Sequence, residues 1–387
     1  MFNFIKDIFK ACKGINEFKK LSDKERSIVF YQEDASSWIY LQSLVKEIAR
    51  YKNDQICVLT SSLDDPILKN PPSFTRPIFI GTGMTRIWFF QGLKAQVIVM
   101  TMPDLEAFHI KRSIYPAHYV YVPHSIVSSH MIYRTGAFDH FDSVFCVGPH
   151  HVNEIREWEK INGLKEKELV KYGYGLLDDM LEEFPCEVQP SVPKKKINLK
   201  KILIAPSWGS QALLEMIGQE LVEVLLSAGY AVCVRPHPRT VKTNISMLTQ
   251  LTDRYGSFSS FKMDIKTDPM QALKDADVLI SDWSGVALEY AFWLHRPPLY
   301  IDLPRKVNNP EYQRISSEPI EAELRTKIGV VVPLDELKSV PSKIEFMLEN
   351  PIRYRECIRK VKSDIIYNLG NSSKSGARYI LDLKKKL

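Results

Sequence analysis

The sequence lacks the features that mark several large classes of protein. It has no run of eighteen or more apolar residues, as a membrane-spanning helix needs, and its first residues lack the apolar stretch of a secretory signal. It has no P-loop, no G-x-G-x-x-G after a strand-like run, and no His and Cys spacing typical of a zinc site. We therefore expect a protein that stays inside the cell and does not rely on these motifs.

Paired cysteines and a strong charge of one sign are also missing. The cysteines form no C-x-x-C pair, and several lie within apolar runs, which predicts reduced thiols in a cytosolic protein. The 52 basic and 46 acidic residues leave a formal charge of +6, too small for a general nucleic-acid-binding protein. This balance fits an anionic substrate or a membrane surface. The six cysteines are Cys12, Cys57, Cys146, Cys186, Cys233 and Cys357.

What the sequence does contain is an alternation of short apolar, β-rich runs with stretches of helical periodicity. This alternation is typical of a parallel sheet covered by helices, and 387 residues suffice for two such cores. We predict two doubly wound, Rossmann-like α/β domains facing each other across a cleft, at 22–185 and 201–345. Three prolines and four lysines in 184–200 indicate a linker, placed at 186–200. Helices at 346–387 are predicted to pack back on the first domain.

Individual strands and helices can be placed within this alternation. Helix Ser37 to Tyr51 is the clearest in the first domain, with Ser36 and Ser37 as candidate N-caps. Strands are predicted in the first domain at Ile28 to Tyr31, Ile56 to Leu59, Ile78 to Ile80, Val97 to Met100, Tyr119 to Val122 and Val144 to Val147. In the second they are predicted at Ile202 to Ala205, Ala231 to Arg235, Phe261 to Met263, Val278 to Ser281, Leu299 to Asp302 and Gly329 to Val332.

The first 21 residues predict an amphipathic helix. Apolar residues share one face, and lysines lie on the other. Two interpretations remain open, a helix lying in the cytoplasmic face of a membrane and a helix docked on the domain core. Lys384, Lys385 and Lys386 could add to a basic, membrane-facing patch. The apolar face consists of Phe4, Ile5, Ile8, Phe9, Cys12, Ile15 and Phe18.

Polar residues directly after predicted strands are the first candidates for a site, because ligands of open α/β sheets bind beyond the carboxyl ends of the strands. In "VLISDWSGVALEYAFW" a buried strand runs through a turn of small and polar residues into a helix. Hydroxyls, a glycine and the free amides of a helix N-terminus suit a phosphate. The candidates here are Ser281, Asp282, Ser284 and Gly285, with Glu289 further along the helix, where it could reach a ribose or face solvent.

Three further strand ends carry candidate residues. In "VRPHPRT" two prolines flank His237, with Arg235 and Arg239 beside it, a combination suited to a pyrophosphate. In "APSWGS", Ser207 repeats the small polar turn. In "YVYVPHS", His124 follows a strand of the first domain and is predicted to be a general base, with His130 and His140 as competitors and Asp139 or Asp142 as orienting groups.

Candidates for contact with an acceptor lie in the first domain. Gly81 and Gly83 form a strand-end loop that a ligand could approach closely, and Asp104 and Arg134 are polar residues of the same half. The carboxylates form no evident ligand set for a metal ion, although a divalent cation could still assist phosphate chemistry.

These motifs resemble the CDP-glycerol glycerophosphotransferase family, the teichoic-acid primases and polymerases. The resemblance rests on His124, "GYGLLDD" at Gly173 to Asp179, "APSW", "RPHP" and "SDWSGVALEYAF". It implies a GT-B fold, cytidine diphosphate bound by the C-terminal domain through His237 and the Ser281 to Ser284 turn, and His124 as base. Two positions depart from the family pattern. Ser125 stands where a glycine commonly follows the histidine, and Gly285 stands at the second-serine position of S-D-x-S-S.

The resemblance implies transfer of glycerol phosphate or ribitol phosphate from a CDP-linked donor. The acceptor would be a hydroxyl of a lipid-linked or polysaccharide molecule in wall, capsule or surface-polymer synthesis, and CMP would leave. We expect a peripheral protein of the inner membrane face that binds no nucleic acid. The alternatives are a GT-B glycosyltransferase using a nucleotide-activated sugar, a GT-B sugar epimerase, and a non-catalytic scaffold with the same fold.

Overall fold

The computed structural model describes residues 2–184, 199–265 and 269–387, and side chains from Lys6 onward. It contains two α/β domains, each built on one fully parallel sheet, so the predicted fold class is confirmed. The N-terminal domain contains β1 (Ile28–Gln32), β2 (Ile56–Thr60), β3 (Thr75–Phe79), β4 (Val97–Met100), β5 (His118–Tyr121), β6 (Ser143–Cys146) and β7 (Glu168–Lys171). Its helices are α1 (Phe2–Lys19), α2 (Trp38–Lys52), α3 (Pro66–Lys69), α4 (Gly83–Gln91), α5 (Pro149–Asn162) and α6 (Gly175–Glu183).

The C-terminal domain repeats the same plan. Its strands are β8 (Lys201–Ile204), β9 (Ala231–Val234), β10 (Phe261–Met263), β11 (Val278–Ser281), β12 (Leu299–Asp302) and β13 (Val330–Pro333). Its helices are α7 (Leu213–Ser227), α8 (Pro238–Thr243), α9 (Ile245–Tyr255), α10 (Pro269–Asp275), α11 (Val286–Leu294), α12 (Ile320–Ile328), α13 (Val340–Glu349), α14 (Pro351–Ile365) and α15 (Ser372–Lys386).

The strand order of both sheets follows one rule. The N-terminal sheet runs β3-β2-β1-β4-β5-β6-β7 and the C-terminal sheet runs β10-β9-β8-β11-β12-β13. In each sheet the order reverses after the first strand, and at such a switch point the loops at the carboxyl ends diverge and leave a crevice. Both crevices therefore lie where the sequence places its polar strand ends.

The cores explain why these segments form strands. Val97–Met100 and Ile56–Thr60 are buried along their whole length, because helices cover both faces of a parallel sheet. One face of the N-terminal sheet packs against α2 and α15, and the other against Phe18 and the aromatic side chains of α4. The C-terminal sheet has one continuous core that reaches helix α14 through Ile358.

The two halves of helix α1 differ, and each fits one of the two interpretations left open by the sequence. Its second half is docked, since Ala11 and Phe18 are buried and a β-carbon at Gly14 would lie 2.0 Å from the carbonyl oxygen of Phe79. Phe9, in contrast, is 72% exposed, and Ile8 is exposed as well. The predicted apolar face is therefore not one surface. The side chains of Phe4 and Ile5 lie outside the described residues.

Several sequence-based boundaries need correction. The half-exposed edge strand β7 was not predicted, and β3 begins three residues before the predicted Ile78. Ser37 is the N-cap of α2 by position, but its side chain makes no capping hydrogen bond. Ser36 lies in the preceding 3-10 turn, where Asp34 accepts its amide hydrogen. The C-terminal boundary at 345–346 falls inside α13.

The C-terminal helices divide between the domains. Helix α15 packs on α2 of the N-terminal domain, whereas α14 contacts α11 and α12 of the C-terminal domain. The prediction that the whole of 346–387 packs on the first domain is therefore wrong for α14. Most of the predicted linker, residues 186–198, and with it Cys186, lies outside the described residues. In the part of the chain that is described, no helix is long and apolar enough to cross a membrane.

Candidate active site

Two histidines stand at corresponding places in the two domains. His124 follows β5 by three residues and His237 follows β9 by three residues. Both lie at the carboxyl edge of their sheets, and they are close enough for a charge on His124 to affect the pKa of His237. The cleft between the domains therefore brings the two sequence-predicted histidines together.

The hydrogen bonds of His124 define its tautomer. Its Nδ1 lies 3.0 Å from the carbonyl oxygen of Thr101 and 3.0 Å from the hydroxyl of Tyr121. Because a carbonyl oxygen can only accept, Nδ1 carries the hydrogen and Nε2 holds the free lone pair. Burial lowers the pKa of His124 to about 4, so the ring is neutral at physiological pH. A neutral imidazole with a free Nε2 can take a proton.

Tyrosine rings hold the imidazole of His124 in place. Tyr40, Tyr121 and Tyr133 all meet it edge-on, with ring centroids 6.0, 6.3 and 5.5 Å away. Tyr121 and Tyr133 are also hydrogen-bonded to each other through their hydroxyls, at 3.2 Å. This wall excludes water from one side of the ring and restricts its rotation.

His237 has the opposite tautomer. Its Nδ1 accepts a hydrogen bond of 3.0 Å from the backbone amide of Arg239, because His237 caps the N-terminus of α8. The hydrogen of the neutral ring therefore sits on Nε2. Burial, followed by the neighbouring cations Lys306 and Arg239 and by His124, lowers the pKa of His237 to about 4. His237 consequently offers an N–H donor where His124 offers an acceptor.

A cluster of cations surrounds His237. The guanidinium of Arg239 lies 4.1 Å from the centroid of the Trp208 ring and the ammonium of Lys306 lies 3.8 Å from it, while the His237 ring is 6.1 Å away. Burial lowers the pKa of Lys306 to about 7, with Arg239 acting in the same direction and Asp282 and Glu215 opposing it. A bound phosphate would supply an anion at close range to both cations.

Sequence reasoning did not single out Lys306 or Trp208. Lys306 lies four residues beyond the end of β12, so the rule that selects polar residues after strands would have found it. Trp208 lies within the "APSW" motif, but only the packed structure shows two cations against its ring.

Three predicted phosphate ligands have other partners. The carboxylate of Asp282 accepts hydrogen bonds from the amide of Ser207 at 2.6 Å, the hydroxyl of Ser207 at 2.8 Å and the amide of Leu213 at 3.0 Å. The hydroxyl of Ser281 donates to the carbonyl oxygen of Ala205 at 2.7 Å. All three predicted side chains are buried. The expectation that Ser281, Asp282 and Ser207 bind phosphate directly is therefore corrected, because they fasten the loop after β8 to the end of β11.

The other residues of this turn do face the cleft. Ser284 and Gly285 are partly exposed at the N-terminus of α11, and Gly285 is its N-cap. Glu289, one turn along, accepts a 2.6 Å hydrogen bond from the hydroxyl of Tyr174 in the N-terminal domain. Burial raises the pKa of Glu289. Glu289 therefore faces the opposite domain and not solvent.

The two arginines near His237 differ in their surroundings. Arg235 forms an ion pair with the buried carboxylate of Asp264 at 3.1 Å, so part of its charge is already neutralised. Arg239 is exposed and stacks on Trp208. Of the two, Arg239 is the better placed to meet an anion.

The candidate acceptor residues fall into two groups. Burial raises the pKa of Asp104, which adopts a left-handed conformation (φ 64°), and Arg134, whose guanidinium stacks on Phe108 at 4.6 Å, opposes that rise. Gly81 lies against helix α1 instead, since a β-carbon there would be 2.9 Å from that of Ala11. The suggestion that Gly81 admits an acceptor is thus corrected, because its missing side chain admits α1.

Gly83 and the competing histidines are also located. Gly83 begins α4 with φ 55° and open space around its α-carbon. Nδ1 of His130 lies 3.3 Å from the buried carboxylate of Glu154, and His140 is exposed. Asp139 and Asp142 do not orient His124. They accept instead from the Trp158 indole and from the guanidinium of Arg112, respectively.

In the described ranges no three His, Cys, Asp or Glu side chains converge as a metal site.

A family comparison bears on this cleft. Residues 134–303 match the family model described as CDP-Glycerol:Poly(glycerophosphate) glycerophosphotransferase. Over these residues the chain is similar to the glycerophosphotransferases. The matched region holds Trp208, His237 and α11, whereas His124 lies ten residues before it and Lys306 three residues after it. The resemblance inferred from the motifs is thereby confirmed.

Solved structures resemble the chain along its length. A histidine-to-asparagine variant of the wall teichoic acid polymerase TagF, soaked with CDPG, matches with a TM-score of 0.60 at 14% identity, covering 100% of this chain and 97% of that one. The UDP-GlcNAc 2-epimerase of Methanocaldococcus jannaschii, bound to UDP-GlcNAc and UDP, matches with a TM-score of 0.59 at 15% identity, covering 92% and 99%.

A further UDP-GlcNAc 2-epimerase, from Neisseria meningitidis and bound to UDP-GlcNAc, matches with a TM-score of 0.54 at 13% identity, covering 92% of this chain and 99% of that one. At such identities these likenesses show the fold alone, which is the GT-B arrangement of two facing domains. No curated protein sequence matches the chain significantly.

Proposed function

We propose that this transferase moves glycerol phosphate or ribitol phosphate from a CDP-linked donor to an acceptor hydroxyl, and that CMP leaves. The observation that carries the proposal is the pair of neutral histidines with opposite tautomers on facing strand ends, one an acceptor and the other a donor of a hydrogen at Nε2. Both functions accelerate transfer of a phosphoryl group, the acceptor at the attacking oxygen and the donor at the leaving oxygen on the opposite side of the phosphorus.

His124 acts as the base in this reaction. Its Nε2 takes the proton of the acceptor hydroxyl while that oxygen forms a bond to the distal phosphorus of the donor. The bond between this phosphorus and the bridging oxygen breaks, and the bridging oxygen leaves with CMP. The tyrosine wall keeps Nε2 aimed at the cleft. A positioned base of this kind contributes roughly 10²- to 10⁴-fold in rate.

The C-terminal domain receives the negative charge that develops on CMP. His237 donates from Nε2, and Lys306 and Arg239 supply positive charge beside the Trp208 ring. Free amides at the N-terminus of α11 and the hydroxyl of Ser284 complete the phosphate site. Within the N-terminal domain, the proposed acceptor contacts are Asp104, Arg134 and Gly83.

The acceptor of the proposed reaction is a lipid-linked or polysaccharide molecule of wall, teichoic acid or capsule synthesis. Exposed apolar side chains next to docked α1 support presentation from a lipid surface. Phe9 is 72% exposed, and Trp88 and Met84 on the adjoining helix α4 are 66% and 57% exposed. Lys6 and Lys10 are exposed on α1. Aromatic and basic side chains together are typical of a surface that enters an anionic membrane interface.

The reaction is tested with purified protein and a panel of donors on lipid vesicles, following the nucleotide released. The proposal predicts CMP from CDP-glycerol or CDP-ribitol, and loss of release in the His124→Ala and His237→Ala variants. Release of a nucleoside diphosphate from a sugar nucleotide, with none from either CDP-alditol, would assign the cleft to a glycosyltransferase instead.

The membrane surface is tested separately by vesicle sedimentation. Phe9→Glu is expected to reduce binding to vesicles containing anionic lipid several-fold, because it removes an apolar side chain and adds negative charge. Phe258→Glu is the matched control, since Phe258 is 51% exposed on the C-terminal domain. Equal binding by both variants would contradict the proposed surface.

A further inference from the structure

Ser125 and Gly285 touch across the cleft. Ser125 directly follows His124 in the N-terminal domain, and Gly285 is the N-cap of α11 in the C-terminal domain. A β-carbon built on Gly285 would lie 2.4 Å from Oγ of Ser125 and 3.6 Å from its Cβ. The hydroxyl of Ser125 therefore occupies the space that a side chain at position 285 would take.

The backbone of Gly285 does not require glycine. Its φ of −60° and ψ of −24° are ordinary right-handed helical values that any residue adopts. The backbone conformation alone therefore gives no reason for glycine at this position. The contact with Ser125 gives glycine a physical reason here, since only a residue without a side chain leaves room for that hydroxyl.

The hydroxyl of Ser125 has unused bonding capacity. It accepts a long bond of 3.5 Å from the amide of Val127. Among the described residues no acceptor receives its own hydrogen. The residue is partly exposed between His124 and the start of α11, where the phosphate of the proposed donor would lie. Ser125 can therefore donate to an anion at that place.

We propose that Ser125 is a donor-binding residue of this transferase. Its hydroxyl approaches the donor phosphate from the N-terminal domain, and Gly285 is the residue that admits it. This inference rests on the proposed function. One consequence is that the hydroxyl and the base His124 arrive at the donor together, since they are adjacent in the chain, so donor binding favours the closed cleft.

A double-mutant cycle tests the inference through the dissociation constant of CDP-glycerol, measured calorimetrically without acceptor. Ser125→Ala is expected to weaken binding about tenfold, as for a lost hydrogen bond to a charged group. Gly285→Ala should weaken it similarly, because the new methyl group displaces Oγ into another rotamer. In the Ser125→Ala background, Gly285→Ala should add nothing, since no hydroxyl remains to be displaced.

Restoration of the hydroxyl from the other domain is the decisive variant. The double variant Ser125→Ala, Gly285→Ser is expected to bind within about threefold of the unmodified protein, because the hydroxyl returns from α11. Matched controls are Ser342→Ala, on the exposed face of α13, and Gly92→Ala, whose added β-carbon meets Trp88 O at an ordinary 3.6 Å. Both should leave binding unchanged.

Two results would overturn the inference. One is additive losses in the Ser125→Ala, Gly285→Ala variant, and the other is no recovery with serine at position 285. If the unmodified protein binds no CDP-alditol, the proposed function fails. Thermal unfolding without ligand then tests whether Ser125 and residue 285 are in contact. Gly285→Ala should lower the Tm by a few degrees when Ser125 is present, and should not lower it in the Ser125→Ala background. Equal shifts of the Tm in both backgrounds would refute the contact between Ser125 and Gly285.

Discussion

The two walls of the cleft have the same strand-end geometry and opposite chemistry. On the N-terminal side His124 is enclosed by Tyr40, Tyr121 and Tyr133, and no cation enters the causes of its low pKa. On the C-terminal side His237 lies among the cations Lys306 and Arg239. The comparison shows how one fold, used twice, separates a proton acceptor from an anion site, because side chains on the loops differ while the sheets do not.

The largest effect should come from the base. His124→Ala is expected to lower kcat about 10³-fold while leaving the donor dissociation constant within about threefold, because the ring acts on the acceptor proton and not on the donor charge. Single-turnover kinetics with separate donor titration would show this. The exposed His140→Ala variant is the control. If His124→Ala weakened only donor binding, the N-terminal side of the cleft could no longer be distinguished as the proton acceptor from the C-terminal side as the anion site.

The fall of kcat/KM at acid pH tests the same assignment of His124 as the base. His124 must be unprotonated to act, and burial has lowered its pKa to about 4, so kcat/KM should stay level from about pH 7 down to about 5 and fall through pH 4. Initial rates at saturating acceptor would measure this. A decline centred near 6.5 would show that His124 is not the base or is not buried in the working enzyme.

A smaller but still large effect, on stability, is expected from replacing Asp282, whose carboxylate fastens the loop after β8 to the end of β11. Asp282→Ala leaves two buried amides and the Ser207 hydroxyl without their acceptor and should cost about 3 kcal/mol of unfolding free energy. Chemical denaturation would measure the loss. Donor affinity of the folded fraction should change less than that of Lys306 variants, and the reverse order would return Asp282 to the set of ligand-contacting residues.

On the C-terminal side of the cleft, donor binding should depend on the charge of Lys306. Lys306→Met is expected to weaken donor binding by about tenfold, as for a lost charge-assisted bond. Because burial lowers the pKa of Lys306 to about 7, donor affinity of the unmodified protein should fall as the pH rises above 7, and Lys306→Arg should remove that fall. Calorimetry from pH 6 to 9 would test both, with exposed Lys338→Met as control.

The smallest effect should be at the contact between the walls. Glu289→Gln keeps an acceptor for the hydroxyl of Tyr174 and removes a partly buried carboxyl, so we expect changes of about threefold or less in kcat/KM. A change of 100-fold would instead indicate that Glu289 contacts the donor. Tyr174→Phe is the companion variant, because it removes the same bond from the other domain.

Much of the fold could be predicted from the sequence because its strands are continuous apolar runs. Val97–Met100, Phe261–Met263, Val278–Ser281 and Leu299–Asp302 have the predicted bounds. The two edge strands of the N-terminal sheet, β3 and β7, did not. Glu168–Lys171 carries charges at both ends and is half exposed, and Thr75–Phe79 contains Arg76 and Pro77, which an edge strand tolerates. Neither shows the buried run on which the prediction depended.

The candidate site was only partly predictable for a related reason. Strand-end position brought His124 and His237 to notice, but it treats every polar residue after a strand alike. It could not distinguish Ser284, which faces the cleft, from Asp282, whose partners Ser207 and Leu213 lie about seventy residues earlier. Nor could it show that Lys306 and Arg239 meet on Trp208.

The sequence by itself determined two parallel sheets and the places where their polar strand ends lie, because burial pattern and turn residues are local properties of the chain. One hydrogen bond of the site is local as well, from the amide of Arg239 to His237. The tertiary structure decided the rest. The Thr101 carbonyl sets the tautomer of His124 from twenty-three residues away, and Ser125 meets Gly285 across 160 residues of chain, because only packing brings such atoms within reach.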